Sequence, residues 1–296
     1  MRIVVTGSHG QLVQSLKRAG TTAGHEVVSI GRPQLDLAGK PGMIIDALTR
    51  ASPDVIVSAA AHTAVDLAED EPEQAEAINA RGAAAVAEAA RVLTVPLLHL
   101  STDYVFDGSK SSPYREDDLP NPISVYGRTK LAGEQAVLAA HDQVVVLRTA
   151  WVYSPFGRNF IKTMLNLAKD RPEVRVVFDQ IGNPTSALDI AAELIKLAAG
   201  LAGSKNPDRF GIFHLAAPDE ANWAEFAQHI FRVSGRLAGP SATVIPITTD
   251  EFPTRAKRPA NSRLDCSRIW ERHGVILPSW RESSANVVGE LLGQFN

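Results

Sequence analysis

Cysteine is nearly absent. Cys266 is the only one in 296 residues, so neither an intrachain disulfide nor a cysteine-based metal cluster can form. The eight histidines show no metal-ligand spacing, and no metal ligand is assigned from sequence. Long apolar runs are missing too: none approaches the ~18 residues a membrane span requires, and no charged start leads into an apolar stretch of the signal-peptide kind. The chain also lacks a surplus of either charge, with 30 Lys+Arg against 33 Asp+Glu. That balance offers little to a phosphate backbone or an anionic lipid surface, so neither nucleic acid nor membrane is an expected partner. A small ligand and a reducing, cytoplasmic setting are the expectation. Repeats and Gly/Ser- or Pro-rich linkers are also absent.

What remains is ordinary globular composition, 45% hydrophobic and 21% charged. A chain of this length buries roughly three quarters of its unfolded surface and needs no covalent staple. Arg2–Thr6, Glu26–Ile30 and residues 54–58, 95–101 and 144–148 read as short buried strands. Helical patterns fall at 11–19, 74–93 and 129–140. This alternation predicts an α/β fold, a Rossmann-type doubly wound parallel sheet with helices on both faces. Beyond residue 150 proline and glycine become more frequent. Further strands are expected at 175–178 and 211–215, and helices at 187–199 and 223–234. The expected organisation is a dinucleotide-binding domain over 1–150 and a smaller, partly interleaved substrate region over 151–296, with a soft boundary.

Gly7-Ser8-His9-Gly10-Gln11-Leu12 lies where the first strand becomes a helix. Such a turn lets backbone N–H groups at the helix start face a pyrophosphate, and glycine permits the close approach. Gly7, His9, Gly10, Gln11 and Leu12 are therefore candidate cofactor contacts. Val13 stands where a dinucleotide fingerprint has its third glycine, and its side chain is expected to hold the helix slightly off the sheet. After the second strand, Arg32 occupies the place of the carboxylate that would bind the adenosine ribose of NAD. Its guanidinium suits a 2′-phosphate, favouring NADPH over NADH, although an exposed arginine with no ligand role is nearly as good a reading. Asp36 and Leu37 are placed beside the adenine. Ala59, Ala60 and Ala61 end the third strand with side chains small enough for a cofactor to lie on the backbone, or simply for close packing.

Thr102 and Asp103 follow the fourth strand, and ligands of open α/β sheets bind beyond the carboxyl ends of strands. Tyr126 and Lys130 are four residues apart at the start of a helix, one turn from each other on one face. A free phenol has a pKa of ~10, and a fixed cation beside it is expected to lower that value. Tyr126 would be the proton donor, Lys130 its tuning cation and a ligand of the nicotinamide ribose, and Thr102 a hydrogen-bond partner of the substrate oxygen. An amphipathic helix with a solvated lysine is the plainer reading of the pair alone. The glycine turn, the strand-end hydroxyl and the Tyr-x-x-x-Lys pair in this order favour the functional one.

Together with Ala64-Val65-Asp66, Ser101-Thr102-Asp103-Tyr104-Val105-Phe106-Asp107-Gly108, Tyr126-Gly127-Arg128-Thr129-Lys130, Arg148-Thr149-Ala150-Trp151-Val152-Tyr153, Asn159-Phe160, residues 179–185 (DQIGNPT) and residues 258–264 (RPANSRL), these motifs give a chain that resembles the extended short-chain dehydrogenases/reductases. Within them it resembles most the dTDP-4-dehydrorhamnose reductases. The resemblance implies hydride transfer from NADPH or NADH to the 4-keto group of dTDP-4-dehydro-L-rhamnose. It further implies that Trp151, Val65, Asp66, Asn159, Arg258 and Asn261 help hold the nucleotide sugar, that subunits pair as homodimers, and that Mg²⁺ accompanies some members. The cations Arg255, Lys257, Arg258 and Arg263 suit a diphosphate or a solvated face. Departures from the family pattern are Val13, His62 and Arg268. Two other resemblances compete: a non-catalytic regulatory subunit like the beta subunit of methionine adenosyltransferase, and a nucleotide-sugar epimerase. The Asp103-Tyr104 pair lacks the glutamate a dehydratase would carry.

Overall fold

The computed structural model describes residues 1–293; the last three residues of the 151–296 region lie outside the described residues. Six parallel strands form the central sheet: β1 (Arg2–Thr6), β2 (Glu26–Ile30), β3 (Val55–Ser58), β4 (Leu97–Thr102), β5 (Val144–Thr149) and, from the second half of the chain, Gly211–His214. From one edge to the other their order is Gly211–His214, β5, β4, β3, β1, β2. The central strands β1, β3, β4 and β5 are mainly apolar, because a parallel sheet covered on both faces offers them no solvated side; Ile3, Val4, Val5 and residues 55–57 are fully buried, while the edge strand β2 is only partly so. On one face α1 (Gln11–Thr22) packs with a helix at Ala187–Leu201. On the other lie α2 (Pro41–Ala51), α5 (Ala83–Leu93) and α6 (Val125–Ala140), with the short α3 (Val65–Ala68) and α4 (Pro72–Glu76) between β3 and α5.

After β5 come β6 (Val152–Tyr153), α7 (Phe160–Leu167), β7 (Glu173–Val177), β8 (Ile181–Gly182), β9 (Thr185–Ser186), α8 (Ala187–Leu201) and β10 (Gly211–His214). Then follow β11 (Ala221–Asn222), α9 (Trp223–Arg236), β12 (Thr243–Ile247), α10 (Ser267–His273) and α11 (Trp280–Leu291). A separate core gathers Phe226, Ile230, Trp280 and Val288 with Tyr153 and Ile161, joining α7, α9 and α11.

Several elements differ from the expectation. The helix expected over 74–93 is broken by a π-helical stretch, Ala77–Gly82, between α4 and α5. Gly82 there lies against the Leu37 carbonyl, where a Cβ would stand 2.4 Å from the oxygen. Such widened turns redirect side chains inward, and Asn79 uses this one to reach His62 and Thr129. Helix α2 was not expected, although Pro41 at its start is a recognised opening signal. Nor was β12, whose Pro246 breaks the strand pattern; it pairs only with β7, so the missing N–H breaks no central ladder. Val13, expected to hold α1 away, is itself buried in the core with Val5 and Leu16, so its branched side chain serves as packing.

Candidate active site

Strand β1 has β2 on one side and β3 on the other, a topological switch point of the kind at which α/β sheets bind ligands. A cleft of about 870 Å³ opens there, beyond the carboxyl ends of β1, β3 and β4. Its first wall is the glycine turn. Gly7 has φ +103°, a conformation side chains resist, and Gly10, just before α1, gives the helix no side-chain cap. The opening amides of α1, at Gln11 and Leu12, thus stand at the cleft with the positive end of the helix dipole behind them. The Gln14 amide donates to the Ser8 carbonyl at 3.1 Å and braces the turn. Thr6 Oγ1 accepts from the N–H groups of both Ala59 and Ala60 at 3.0 Å, which fixes the alanine run, Ala61 included, along the floor. His9 and Arg32 are exposed at the rim, with Asp36 and the buried Leu37 beside them.

The opposite wall carries the titratable groups. Thr102, Asp103, Tyr126 and Lys130 all line it, and all are buried. Ser124 caps α6 by accepting from the Gly127 N–H, which sets the first turn that presents Tyr126. Gly127 is required there, since a Cβ would stand 2.1 Å from the Tyr104 carbonyl. The Tyr104 ring meets Tyr126 edge-on at 5.5 Å. Lys130 Nζ donates to the Leu100 carbonyl at 2.6 Å.

The electrostatics depart from expectation. Burial pushes the Tyr126 phenol up to about 12, with hydrogen bonding to Thr102 opposing it, rather than a lysine pulling it down. Burial also lowers Lys130 to about 8, against the nearby Glu134 charge. Two ionisable groups deprived of water each favour the neutral form, and burial is the leading cause for both. Tyr126 is consequently a protonated phenol at neutral pH, the form a proton donor needs. Asp103 rises to about 6, burial outweighing the hydrogen bond that Thr102 Oγ1 gives it at 2.9 Å.

Trp151 and Val65 also line the cleft. Trp151 has φ +47°, a conformation costing roughly 1–2 kcal/mol. Its indole lies flat on Trp223, with ring centroids 3.5 Å apart, and donates to Ser262 Oγ at 3.1 Å. Gly182 makes room, because a Cβ there would stand 2.6 Å from the indole.

Four residues implied by resemblance to hold the nucleotide sugar stand outside this lining. Asn159 gives its amide to Gln11 Oε1 and to the Ser154 and Phe156 carbonyls, and caps α7 through Lys162 N–H. Asn261 donates to the Lys110 and Ser112 carbonyls and accepts from Arg263. Asp66 accepts from Ala256 N–H and from Arg258 at 2.8 Å. These bonds join distant chain segments, so the same polar atoms serve the framework. The arginines of the cationic run are similarly engaged: Arg255 pairs with Asp70 and Arg263 with Glu220. Arg268 reaches Asp117 and Glu116. His62 donates its backbone N–H to Asn79 and sets its ring 3.4 Å from Glu71.

Sequence reasoning passed over Ser101, Tyr104 and Arg158, which also line the cleft. Arg158 comes from the loop after β6, which Gln11 ties to the glycine turn by accepting from Ser154 Oγ at 2.8 Å. No motif marks it, because only the fold brings residue 158 beside residue 10. Among the described residues no group of three or more His, Cys, Asp or Glu side chains could hold a metal ion, and nothing in the structure supports the Mg²⁺ that the resemblance implies.

Comparison with known proteins identifies the family. The RmlD substrate binding domain family matches residues 1–292. A dTDP-4-dehydrorhamnose reductase of Sinorhizobium fredii is 48% identical over 99% of this chain and 98% of its own. The crystal structure of such a reductase from Clostridium acetobutylicum superposes with a TM-score of 0.91 at 37% identity, covering 98% of this chain and 99% of that one. One from Bacillus anthracis, in complex with NADP, superposes at 0.89 with 34% identity and the same coverage. The chain belongs to the dTDP-4-dehydrorhamnose reductase family.

Proposed function

We propose that this protein reduces the 4-keto group of dTDP-4-dehydro-L-rhamnose with NADPH, giving dTDP-L-rhamnose. The observation that carries the reading is the meeting, in one cleft, of the uncapped α1 start with the buried Thr102, Tyr126 and Lys130. The glycine turn and α1 amides would hold a dinucleotide's diphosphate, and Arg32 its 2′-phosphate. When bound, the nicotinamide supplies hydride to the carbonyl carbon. Tyr126 delivers the proton to the carbonyl oxygen while Thr102 orients that oxygen. Lys130, held by Leu100, stabilises the phenolate left behind. Trp151 and Val65 would close over the sugar and keep water out. A nicotinamide cofactor also fits the family structure determined with NADP.

The regulatory-subunit reading has no observation of its own, since the proton-handling groups are all in place and the near relative is named a reductase. No described helix is long and apolar enough to cross a membrane. A cytoplasmic setting suits the lone Cys266, whose thiol is pushed up to about 12 by desolvation and so stays protonated. Pairing into homodimers rests on family resemblance alone. The deciding experiment follows nicotinamide absorbance with purified protein, NADPH and dTDP-4-dehydrorhamnose. Oxidation dependent on the keto sugar is expected, and its absence would overturn the reading.

A further inference from the structure

Behind the Tyr126–Lys130 face lies a charged cluster that the reaction does not touch. Glu134 sits one turn beyond Lys130 on α6, and Arg148 lies near the end of β5; both side chains are 1% exposed. Arg148 donates to Glu134 through Nε at 3.0 Å and Nη2 at 2.7 Å. Ser101, opposite Arg148 in the β4–β5 register, donates its hydroxyl to the same carboxylate. The residue before Ser101 is Leu100, whose carbonyl holds the Lys130 ammonium.

Stability does not explain such an arrangement, because well-packed apolar side chains of similar volume usually serve a core as well as a buried ion pair. The pair also leaves Arg148 Nη1 buried without a partner. Its placement has a clearer meaning. Glu134 clamps α6 to the ends of β4 and β5 at the level of the carbonyl that receives Lys130, and it brings a negative charge toward an ammonium that burial disfavours.

We infer that the Ser101–Glu134–Arg148 cluster places the Lys130 ammonium and balances its charge, which makes Glu134 and Arg148 positioning residues for proton delivery. The inference rests on the proposed roles of Tyr126 and Lys130. The groups around Lys130 come from every packed element. Tyr126 and Glu134 share α6. His99 on β4 is buried and held neutral, its pKa lowered by burial and by the Lys130 charge. Arg148 comes from β5, and Asp103 follows β4. Of these, Glu134 alone supports the ammonium, against the burial that brings it down to about 8. With Tyr126 protonated far above that range, Lys130 governs the alkaline limb of the reaction.

The test is the pH dependence of single-turnover NADPH oxidation at saturating keto sugar, with NADPH binding and thermal melting as checks of folding. Glu134→Gln keeps an acceptor for Ser101 but removes the charge and leaves Arg148 uncompensated, so the alkaline limb should move down by about one pH unit. Arg148→Met leaves Lys130 as the counter-ion of Glu134, so the limb should move up. The double variant should return toward the wild-type position. General damage to packing cannot produce opposite shifts that cancel. Should Arg148→Met not fold, Glu134→Gln alone decides: a limb unmoved, or moved up, overturns the inference. So do two single variants that shift in the same direction. Tyr126→Phe separates the two readings. If it keeps full turnover, the proton-donor assignment fails; if it is inactive while both cluster variants leave the limb in place, only the cluster's role fails.

Discussion

The two walls of the cleft recognise by opposite means. The glycine-turn wall offers backbone amides and a few exposed side chains, His9, Arg32 and Asp36, which remain in contact with water. The α6 wall offers side chains stripped of water, where Tyr126, Lys130 and Asp103 all move toward their neutral forms. The first can bind a charged, hydrated group at small cost, since its donors are fixed by the helix start and cost no side-chain entropy. The second is built for proton movement, which needs groups poised between charge states in a dry setting. A single cleft thus divides binding from chemistry.

That division can be broken most sharply at Tyr126. Replacing it by Phe should lower turnover by ~10²–10⁴, the range for loss of a general acid, while NADPH affinity changes little. Stopped-flow oxidation and a fluorescence titration would show both. A large loss of binding with turnover retained would mean that the two walls are not separate in this way.

Asp103 sharpens the contrast through stability. Its carboxyl is raised to about 6 in the folded protein against ~3.9 when unfolded. A raised folded pKa means full stability below the unfolded value, lost as pH climbs through the folded one. Between pH 4 and pH 7 this group should therefore take away roughly 2 kcal/mol. Asp103→Asn retains an acceptor for Thr102 and should show a Tm advantage over wild type that grows across that pH window. An advantage independent of pH would point to packing instead.

The smallest effect is expected at the exposed wall. Arg32→Ala should raise the KM for NADPH about tenfold and leave that for NADH unchanged, consistent with a partly solvated charge-assisted contact. Steady-state kinetics with both cofactors would measure the ratio. Equal KM values for the two cofactors, in wild type and variant alike, would remove Arg32 from cofactor selection.

Legibility in the sequence follows the range of the interactions. The strand-to-helix turn at Gly7–Leu12 and the Tyr126–Lys130 spacing are local patterns, and each appears where the chain alone places it. The π-helical turn at Ala77–Gly82 is hidden inside an alanine-rich helical pattern, because the contact it makes, Gly82 against the Leu37 backbone, joins segments far apart in sequence. Strand β12 was hidden by Pro246, which is tolerated only because its partner is the isolated β7. Asn159 and Asn261 sit in motif-bearing segments, yet their amides bind backbone carbonyls rather than face the cleft.

By itself the sequence determined the alternation of buried strands and helices, the glycine turn and the one-turn spacing of phenol and amine, since all depend on neighbours a few residues away. Only the tertiary structure decided the protonation of Tyr126 and Lys130, the pairing of Glu134 with Arg148 and the approach of Arg158 to the cleft. Desolvation and long-range contact exist only once distant segments have excluded water between them, and no spacing along the chain encodes their strength.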